Sequence, residues 1–138
     1  MKRREFLYAT AAASMLPAIA HATQTLDYTP GLVRERLAAG ETVFIDFKAD
    51  WCTTCRAQER VITDLRAANP AYDQAITFVN VDWDQYGRGE LAQELNIPRR
   101  STLAVMLGEE ELGRLVARTS RRDIQSLMDT ALTASQQS

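Results

Sequence analysis

The chain has 138 residues, of which 46% are hydrophobic, so it can form one domain around a single core. Its 16 basic residues are outnumbered by 18 acidic ones, which excludes the strong positive charge of a nucleic-acid-binding protein.

The first 22 residues have the pattern of an export signal. Residues 1–4 give a basic start, residues 6–20 form a mildly apolar, alanine-rich run, and residues 20–22 have the small-x-small form of a cleavage site. The paired arginines Arg3 and Arg4, followed by one residue and then Phe-Leu, resemble a twin-arginine signal. We therefore expect residues 1–22 to be a signal peptide cleaved after Ala22, and the mature protein to be soluble in the periplasm. An uncleaved anchor is the alternative, although the run is shorter than the ~20 apolar residues of a spanning helix.

The first predicted elements precede the cysteines. Residues 23–28 are expected to be extended, and Thr29 followed by Pro30 predicts a helix start capped by the threonine hydroxyl. Gly40 suits the end of this helix. Residues 42–49 form a near-continuous run of β-branched and aromatic side chains, which is typical of a central strand covered on both faces.

A helix and a second strand are predicted after the first strand. Cys52 and Cys55, the only cysteines of the chain, stand where this helix begins, and Asn69-Pro70 ends it. Gln58 is among its polar positions. Residues 75–81 predict another buried strand, which completes the strand, helix, strand order of a βαβ unit. The apolar positions of the helix are Ala57, Val61, Ile62, Leu65 and Ala68.

The second half of the chain is predicted to contain a hairpin and a final helix. Residues 82–89 are expected to be a polar loop, followed by a short helix that ends before Pro98. Two strands are predicted at 102–107 and 112–117, and the five-residue connection 108–112 is short enough for an antiparallel hairpin. Ser120 is the predicted cap of the last helix. We therefore expect one domain over residues 23–133 and a disordered tail at 134–138.

The element order and the motif Trp51-Cys52-Thr-Thr-Cys55 resemble the thioredoxin family over essentially the whole chain after residue 22. Asp46, six residues before Cys52, matches the buried aspartate of thioredoxins, and residues 49–52 are similar to the C-terminal domain of DsbD-type electron-relay proteins. The resemblance implies an α/β thioredoxin fold, with a central mixed sheet of about four to five strands and helices on both faces.

Two positions depart from the thioredoxin pattern. Thioredoxins carry a cis-proline that faces the cysteines; our preferred alignment puts Ser101 there, while the alternative uses Pro98 and needs three extra residues. A trans peptide is expected at Ser101, because a non-proline cis bond costs about 2.5–4 kcal/mol. The second departure is the absence of the lysine that thioredoxins place near the buried aspartate, since Lys48 is the only lysine after residue 22.

The cysteine pair has the arrangement that disulfide exchange needs, in which one thiolate attacks and a second thiol releases the product. The earlier cysteine lies near free backbone N–H groups and the positive end of the helix dipole, which favours its thiolate. Cys52 is therefore the predicted nucleophile and Cys55 the resolving thiol. If Asp46 points inward, as the resemblance implies, it is the predicted acceptor of the Cys55 proton. A solvent-facing or capping Asp46 is the alternative.

A substrate groove is expected around the pair. Packing at the strand end is an equal alternative for Trp51, and a solvated loop is the alternative for Arg100. Because Thr53 and Thr54 provide no cation for the thiolate, we expect a pair less oxidising than those of the strong periplasmic disulfide donors. The predicted groove residues are Trp51, Arg100, Ser101 and Thr102.

Other roles for two cysteines are weaker. A structural disulfide closing so short a loop would gain only roughly 2 kcal/mol. Structural zinc takes four Cys or His ligands, and after residue 22 the chain has two cysteines and no histidine. Two thiolates can hold Cu(I), which keeps a copper carrier as an alternative.

The sequence thus predicts a periplasmic thiol-disulfide oxidoreductase that uses the Cys52-Cys55 pair and no metal or cofactor. Protein-disulfide reduction is the preferred activity, with oxidised exported proteins as substrates. The resemblance implies a membrane thiol relay as the electron donor, and a monomer is expected. The alternatives are a disulfide donor or isomerase, and a non-enzymatic Cu(I)-binding or partner-binding module.

Overall fold

The computed structural model describes residues 25–137. The predicted signal peptide, its cleavage site and Ser138 therefore lie outside the described residues. Among residues 25–137, no helix combines the length and apolar composition needed to cross a bilayer.

Five strands form one mixed sheet in the order β1-β3-β2-β4-β5, with helices on both faces. β2 pairs in parallel with β3 and antiparallel with β4, and the β4-β5 pair is the predicted antiparallel hairpin. This is the α/β architecture that the resemblance implied. The strands are β1 (Leu26–Asp27), β2 (Thr42–Lys48), β3 (Ile76–Asp82), β4 (Thr102–Leu107) and β5 (Glu110–Val116). The helices are α1 (Leu32–Ala38), α2 (Thr53–Ala68), α3 (Ala71–Ala75), α4 (Trp83–Tyr86), α5 (Glu90–Glu94) and α6 (Arg121–Gln137).

β2 is central because its side chains are buried on both faces of the sheet. Val43, Ile45 and Phe47 point into the core that packs under α1 and α5, while Phe44 points into the core under α2 and α6. Successive side chains of a strand face opposite sides, so Asp46 shares the face of Phe44. The carboxyl end of β2 leads directly into the cysteine motif.

Several predicted boundaries were wrong. α1 begins at Leu32 after Gly31, which has φ +90° and provides no side-chain cap, so the Thr29 hydroxyl does not cap this helix. Instead the Thr29 carbonyl accepts a bond from the Leu32 N–H. β5 begins at Glu110, two residues earlier than predicted, because Gly108 at φ +59° closes the hairpin within a two-residue turn.

The stretch predicted as a polar loop at residues 82–89 contains the short helix α4. The Asp82 carboxylate caps it by accepting the backbone N–H of Asp84. Trp83 packs edge-to-face on Phe47, with 6.4 Å between ring centres. Burial of an aromatic side chain therefore fixes a segment whose composition indicated a loop.

The polar tail predicted at residues 134–138 is helical as far as Gln137, because α6 continues to that residue. Its start is the predicted one, since the Ser120 hydroxyl accepts the N–H of Asp123. Ile124, Met128 and Ala131 anchor α6 in the core. Alanine and glutamine are good helix formers, so the helix extends past its last buried side chain.

The buried stripe of α2 overlaps the predicted one at Ile62 and Leu65 but differs elsewhere. Cys55, Gln58, Ile62 and Leu65 face the core at spacings of three and four residues. Ala68, which was assigned to the apolar face, is exposed. Gln58, assigned to the polar face, is completely buried.

Candidate active site

The two cysteines lie where the chain turns from β2 into α2. The Cys52 N–H donates to the Ala49 carbonyl at 3.1 Å, which closes the turn after the strand. Cys52 is the N-cap residue of α2, and its sulfur accepts the backbone N–H of Cys55 at 3.1 Å. Both cysteines are free thiols. The structure therefore places the Cys52 sulfur at the positive end of a 16-residue helix, as predicted.

The outer thiol is more covered than expected. Cys52 is only 3% exposed and Cys55 is completely buried. Ala49 and the half-buried Trp83 pack around the pair. A partner disulfide must therefore fit closely against the surrounding side chains, because only a small edge of Cys52 meets solvent.

Ser101 brings its hydroxyl between the two sulfurs. Its Oγ lies 3.2 Å from Cys52 Sγ and 3.1 Å from Cys55 Sγ. No cis peptide bond occurs among residues 25–137, and Ser101 has φ +64°. Pro98 is exposed and makes no comparable approach to the cysteines. The structure thus places Ser101 where the preferred alignment put it, as a buried trans residue in the left-handed region.

Backbone and side-chain bonds hold Ser101 in this unusual conformation. Its N–H donates to the Phe47 carbonyl at 2.7 Å, and its carbonyl accepts the Ala117 N–H at 2.8 Å. Gln58 Nε2 donates to the Ser101 carbonyl and to the Arg118 carbonyl, each at 2.9 Å. A buried amide in α2 therefore joins the loop before β4 to the segment after β5.

Sequence reasoning missed Gln58. It stands three residues after Cys55, which puts both residues on the same helical face, so their spacing carried the signal. Its amide Oε1 has no hydrogen-bond partner among the described residues.

The Cys52 thiol ionises more easily than an ordinary cysteine. Burial opposes its ionisation, but hydrogen bonds from Cys55, Ser101 and Arg100 outweigh burial and lower the pKa of Cys52 to about 7. Arg100 is a cation outside the motif that favours the thiolate, in addition to what was expected from Thr53 and Thr54. The motif itself has no such cation; the guanidinium comes from the loop before β4.

Cys55 has the opposite tendency. Burial, followed by its hydrogen bond with Cys52, raises the pKa of the Cys55 thiol. Since the pKa of Cys52 is lowered, Cys52 is the more readily ionised thiol of the pair and Cys55 the less readily ionised one.

Asp46 points inward and is 5% exposed. Burial, with repulsion from Glu59 and from Cys52, outweighs the attraction of Lys48 and raises the pKa of Asp46 to about 7. Its Oδ1 is buried without a hydrogen-bond partner among the described residues. The carboxyl group thus senses the charge of Cys52 and can exchange a proton near neutral pH.

A small cavity reaches Asp46 from the surface. It has a volume of about 50 Å³ and is lined by polar groups of Asp46, Glu59, Thr63 and Asn80, among others. A cavity needs roughly 10–15 Å³ and polar partners to hold a water molecule, so water can enter beside the carboxyl group. Lys48 Nζ binds Glu59 at 2.9 Å. Lys48, two residues after Asp46 on β2, also lowers the pKa of Asp46 through charge attraction.

The exposed Trp51 and the half-buried Arg100 form a surface beside the thiols. The Trp51 side chain is 57% exposed, and its Nε1 donates to the Asp84 carboxylate at 2.9 Å. The Arg100 guanidinium carbon lies 4.4 Å from the centre of the Trp51 ring, within cation-π distance. Trp51 is thus not packed into the strand end. Asp84 was not predicted from the sequence, since it contacts Trp51 across 33 residues.

Thr102 does not line a groove, contrary to expectation. It is completely buried, and its hydroxyl donates to the Arg99 carbonyl at 2.7 Å. Of the four predicted groove residues, Trp51 and Arg100 form the surface, Ser101 contacts the sulfurs from within, and Thr102 supports the loop.

The thiols are remote from a second, larger cavity. That cavity has a volume of about 560 Å³ and lies between α1 and α5, with Tyr28, Leu37 and Leu95 among its lining residues. Within residues 25–137, no group of three or more His, Cys, Asp or Glu side chains is placed to hold a metal ion.

Comparison with known proteins places this geometry in a family. Thioredoxin H5 of Oryza sativa subsp. japonica is 34% identical over 77 residues, which are 56% of this chain and 53% of the relative. The match thus spans about half the length of that relative. The crystal structure of Trxlp from Edwardsiella tarda is 28% identical, with a TM-score of 0.65 over 75% of this chain and 98% of that one.

A thioredoxin of Malassezia sympodialis is 22% identical, with a TM-score of 0.61 over 79% of this chain and 95% of that one, and shows the shared fold. The sequence profile of the Thioredoxin family matches residues 25–130, which is most of the chain and includes both cysteines. The chain therefore belongs to the thioredoxin family.

Proposed function

We propose that the protein is a periplasmic protein-disulfide reductase. The observation that carries this proposal is the contrast between two thiols at one helix N-terminus: the pKa of Cys52 is lowered to about 7, while that of Cys55 is raised. One thiol is thus ready to attack, and the other holds its proton until it is needed.

The first step is attack of the Cys52 thiolate on one sulfur of a substrate disulfide. A bond forms between the Cys52 sulfur and that atom, the substrate S–S bond breaks, and the second substrate sulfur leaves as a thiolate that takes a proton from water. The surface of Trp51 and Arg100 lies beside the attacking Cys52 sulfur and would contact the arriving polypeptide.

In the second step Cys55 loses its proton and attacks the Cys52 sulfur. The Cys52-Cys55 disulfide forms, the remaining substrate sulfur leaves, and two electrons have passed from the pair to the substrate. Asp46, whose pKa is about 7, accepts the Cys55 proton through water. Within residues 25–137, no direct hydrogen bond joins the Asp46 carboxyl group to either sulfur. The proton transfer therefore needs an intervening water molecule.

The moderate acidity of Cys52 supports the reducing direction. Strongly oxidising pairs have a nucleophile whose pKa is about 3.5, while reducing pairs have one near 7. A thiolate that is only moderately stabilised makes the reduced pair a better electron donor. Arg100 and Ser101 therefore assist the Cys52 thiolate without bringing it into the range of a disulfide donor.

The location and the donor follow from the N-terminal pattern. An exported protein has no soluble NADPH-linked reductase beside it, so its oxidised pair would be reduced by a membrane thiol relay. The similarity of residues 49–52 to the DsbD-type domain supports a partner of that class. Oxidised exported proteins would be the substrates. The protein would act on them as a monomer.

The test uses insulin as a disulfide substrate and dithiothreitol as electron source. Insulin reduction should be accelerated by the wild-type protein and abolished in Cys52→Ser. Cys55→Ser is the matched variant, because it keeps the attacking thiol and should accumulate a mixed disulfide with the substrate. The reduction potential of the pair should lie near the roughly −200 to −270 mV of reducing family members.

Two results would overturn the proposal. A potential near the about −120 mV of the strongest oxidants would assign disulfide donation instead. Stoichiometric Cu(I) binding with no acceleration of insulin reduction would make the thiols ligands. Location is tested separately, by fractionating cells that express the full chain and a variant with Arg3 and Arg4 changed to lysine.

A further inference from the structure

We propose that the Ser101 hydroxyl is a catalytic hydrogen-bond donor that serves both sulfurs in turn, the Cys52 thiolate before the attack and the Cys55 thiolate during resolution. This inference deepens the proposed function and rests on it. The family pattern has a proline at this position, which has no hydroxyl to offer.

The distances allow this exchange without movement of heavy atoms. Ser101 Oγ is 3.2 Å from one sulfur and 3.1 Å from the other, so a rotation about the Cβ–Oγ bond is enough to redirect its proton. A hydroxyl has one proton and two lone pairs, so it donates to one sulfur at a time and can accept from the other. With Cys52 ionised, the chain of bonds runs from the Cys55 S–H to Oγ, and from the Oγ–H to the Cys52 sulfur.

After Cys52 attacks a substrate, the sulfur that needs the Ser101 hydrogen bond is that of Cys55. Once Cys52 is bonded to a substrate sulfur, it carries no charge and is a poor acceptor. Cys55 then becomes the thiolate, after its proton has passed through water to Asp46. The Ser101 hydroxyl turns to the Cys55 sulfur, donates to it and stabilises the charge until that sulfur forms the new S–S bond. Ser101 itself gains and loses no proton over the cycle.

The backbone holds the hydroxyl in place through both steps. Bonds to Phe47, Ala117 and Gln58 fix the peptide groups on either side of Ser101, and the residue is completely buried. Donors fixed before the charge develops stabilise it without paying for reorganisation during the reaction. Two charged groups act on this site: Arg100 lowers the pKa of Cys52, and Asp46 interacts electrostatically with Cys52.

The experiment removes the hydroxyl and reads each thiol separately. Ser101→Gly is the principal variant, because glycine accepts φ +64° without strain, and Ser101→Ala is the second. Each is combined with Cys55→Ala, to titrate Cys52 alone, and with Cys52→Ala, to titrate Cys55 alone. Thiolate absorbance at 240 nm against pH should show the pKa of either thiol raised by about one pH unit when the hydroxyl is absent.

A matched control is Asn96→Gly, which changes another left-handed residue that is exposed and lies outside the contacts of Ser101. Its thiol pKa values should equal those of the wild type. With both cysteines present, 5,5′-dithiobis(2-nitrobenzoate) releases one coloured thiolate when Cys52 attacks and a second when Cys55 resolves. Ser101→Gly should slow the second phase by about threefold at pH 7, because the smaller thiolate fraction is partly offset by the greater nucleophilicity of a less acidic thiol, while Asn96→Gly leaves it unchanged.

The outcomes distinguish this inference from the proposed function. If only the Cys52 pKa moves, or if neither moves, the alternating role of Ser101 is wrong even when the wild type reduces insulin. If both pKa values move and the second phase slows, the role of Ser101 stands, even for a wild type that fails on insulin. A purely structural role would disturb folding in Ser101→Ala and leave both pKa values of the folded Ser101→Gly protein in place.

Discussion

Replacing Asp46 by asparagine should stabilise the protein above neutral pH and not below pH 4. Asp46 is buried, and its pKa is raised from 3.8 to about 7, chiefly by burial. Between these two values the unfolded chain has lost this proton while the folded chain keeps it, so the free energy of unfolding falls as pH rises. Three pH units at 1.36 kcal/mol each give a loss of about 4 kcal/mol at most.

Asparagine cannot ionise, so it escapes this loss but buries an amide without a partner. That amide costs about 1–3 kcal/mol at every pH. Near pH 4 the Asp46→Asn variant should therefore be the less stable protein, and near pH 8 the more stable one by about 1–3 kcal/mol. The measurement is urea unfolding of both proteins at intervals from pH 4 to pH 8.5, with the difference between them plotted against pH.

The control is Asp64→Asn, which changes an exposed carboxylate on α2. Its stability should track the wild type across the range, because an exposed carboxylate is solvated in both states. A constant difference between Asp46→Asn and the wild type from pH 4 to pH 8.5 would refute the reasoning, since it would mean that Asp46 ionises equally well when folded. The predicted role of Asp46 as proton acceptor would then lose its support.

Three further substitutions test contacts of the site and core. Arg100→Gln should raise the pKa of Cys52 by about half a pH unit, seen as a shift in the pH midpoint of iodoacetamide alkylation. Arg56→Gln removes an equal charge from the exposed side of α2 and should leave that midpoint in place, whereas equal shifts would make the effect one of net charge. Gln58→Ala should cost about 1–3 kcal/mol in urea unfolding, because the Arg118 carbonyl loses the amide donor and the Ser101 carbonyl keeps only the Ala117 N–H; an unchanged midpoint would show that water replaces the amide. Ile124→Ala should cost about 2–5 kcal/mol, since its side chain is completely buried, and a cost below about 1 kcal/mol would contradict the packing of α6.

The elements that could be predicted from the sequence are those indicated by residues close together in the chain. β2 and β4 are apolar runs whose own composition predicts a strand, without information on the strands they pair with. β4 has the predicted bounds. The position of Cys52 at a helix start follows from the chain around it. Ser101 could be placed by counting residues from a strand that was itself clear.

The contacts that complete the site lie beyond such local signals. Gln58 reaches the Ser101 carbonyl across 43 residues, and no pattern within α2 states which loop will cover it. Arg100 was read as a solvated loop residue or a groove residue, since its approach to Cys52 exists only after β4 pairs with β2. Trp83 looked like part of a loop for the same reason, because its packing partner Phe47 stands 36 residues earlier in the chain.

The left-handed backbone at residue 101 also limits how this protein can change over evolution. Proline is restricted to φ near −65° and has no N–H, whereas Ser101 has φ +64° and uses its N–H to hold the end of β2. Substitution of Ser101 by proline would therefore lose this hydrogen bond and require a different backbone conformation. Neighbouring residues in the connection before β4 would have to change with it.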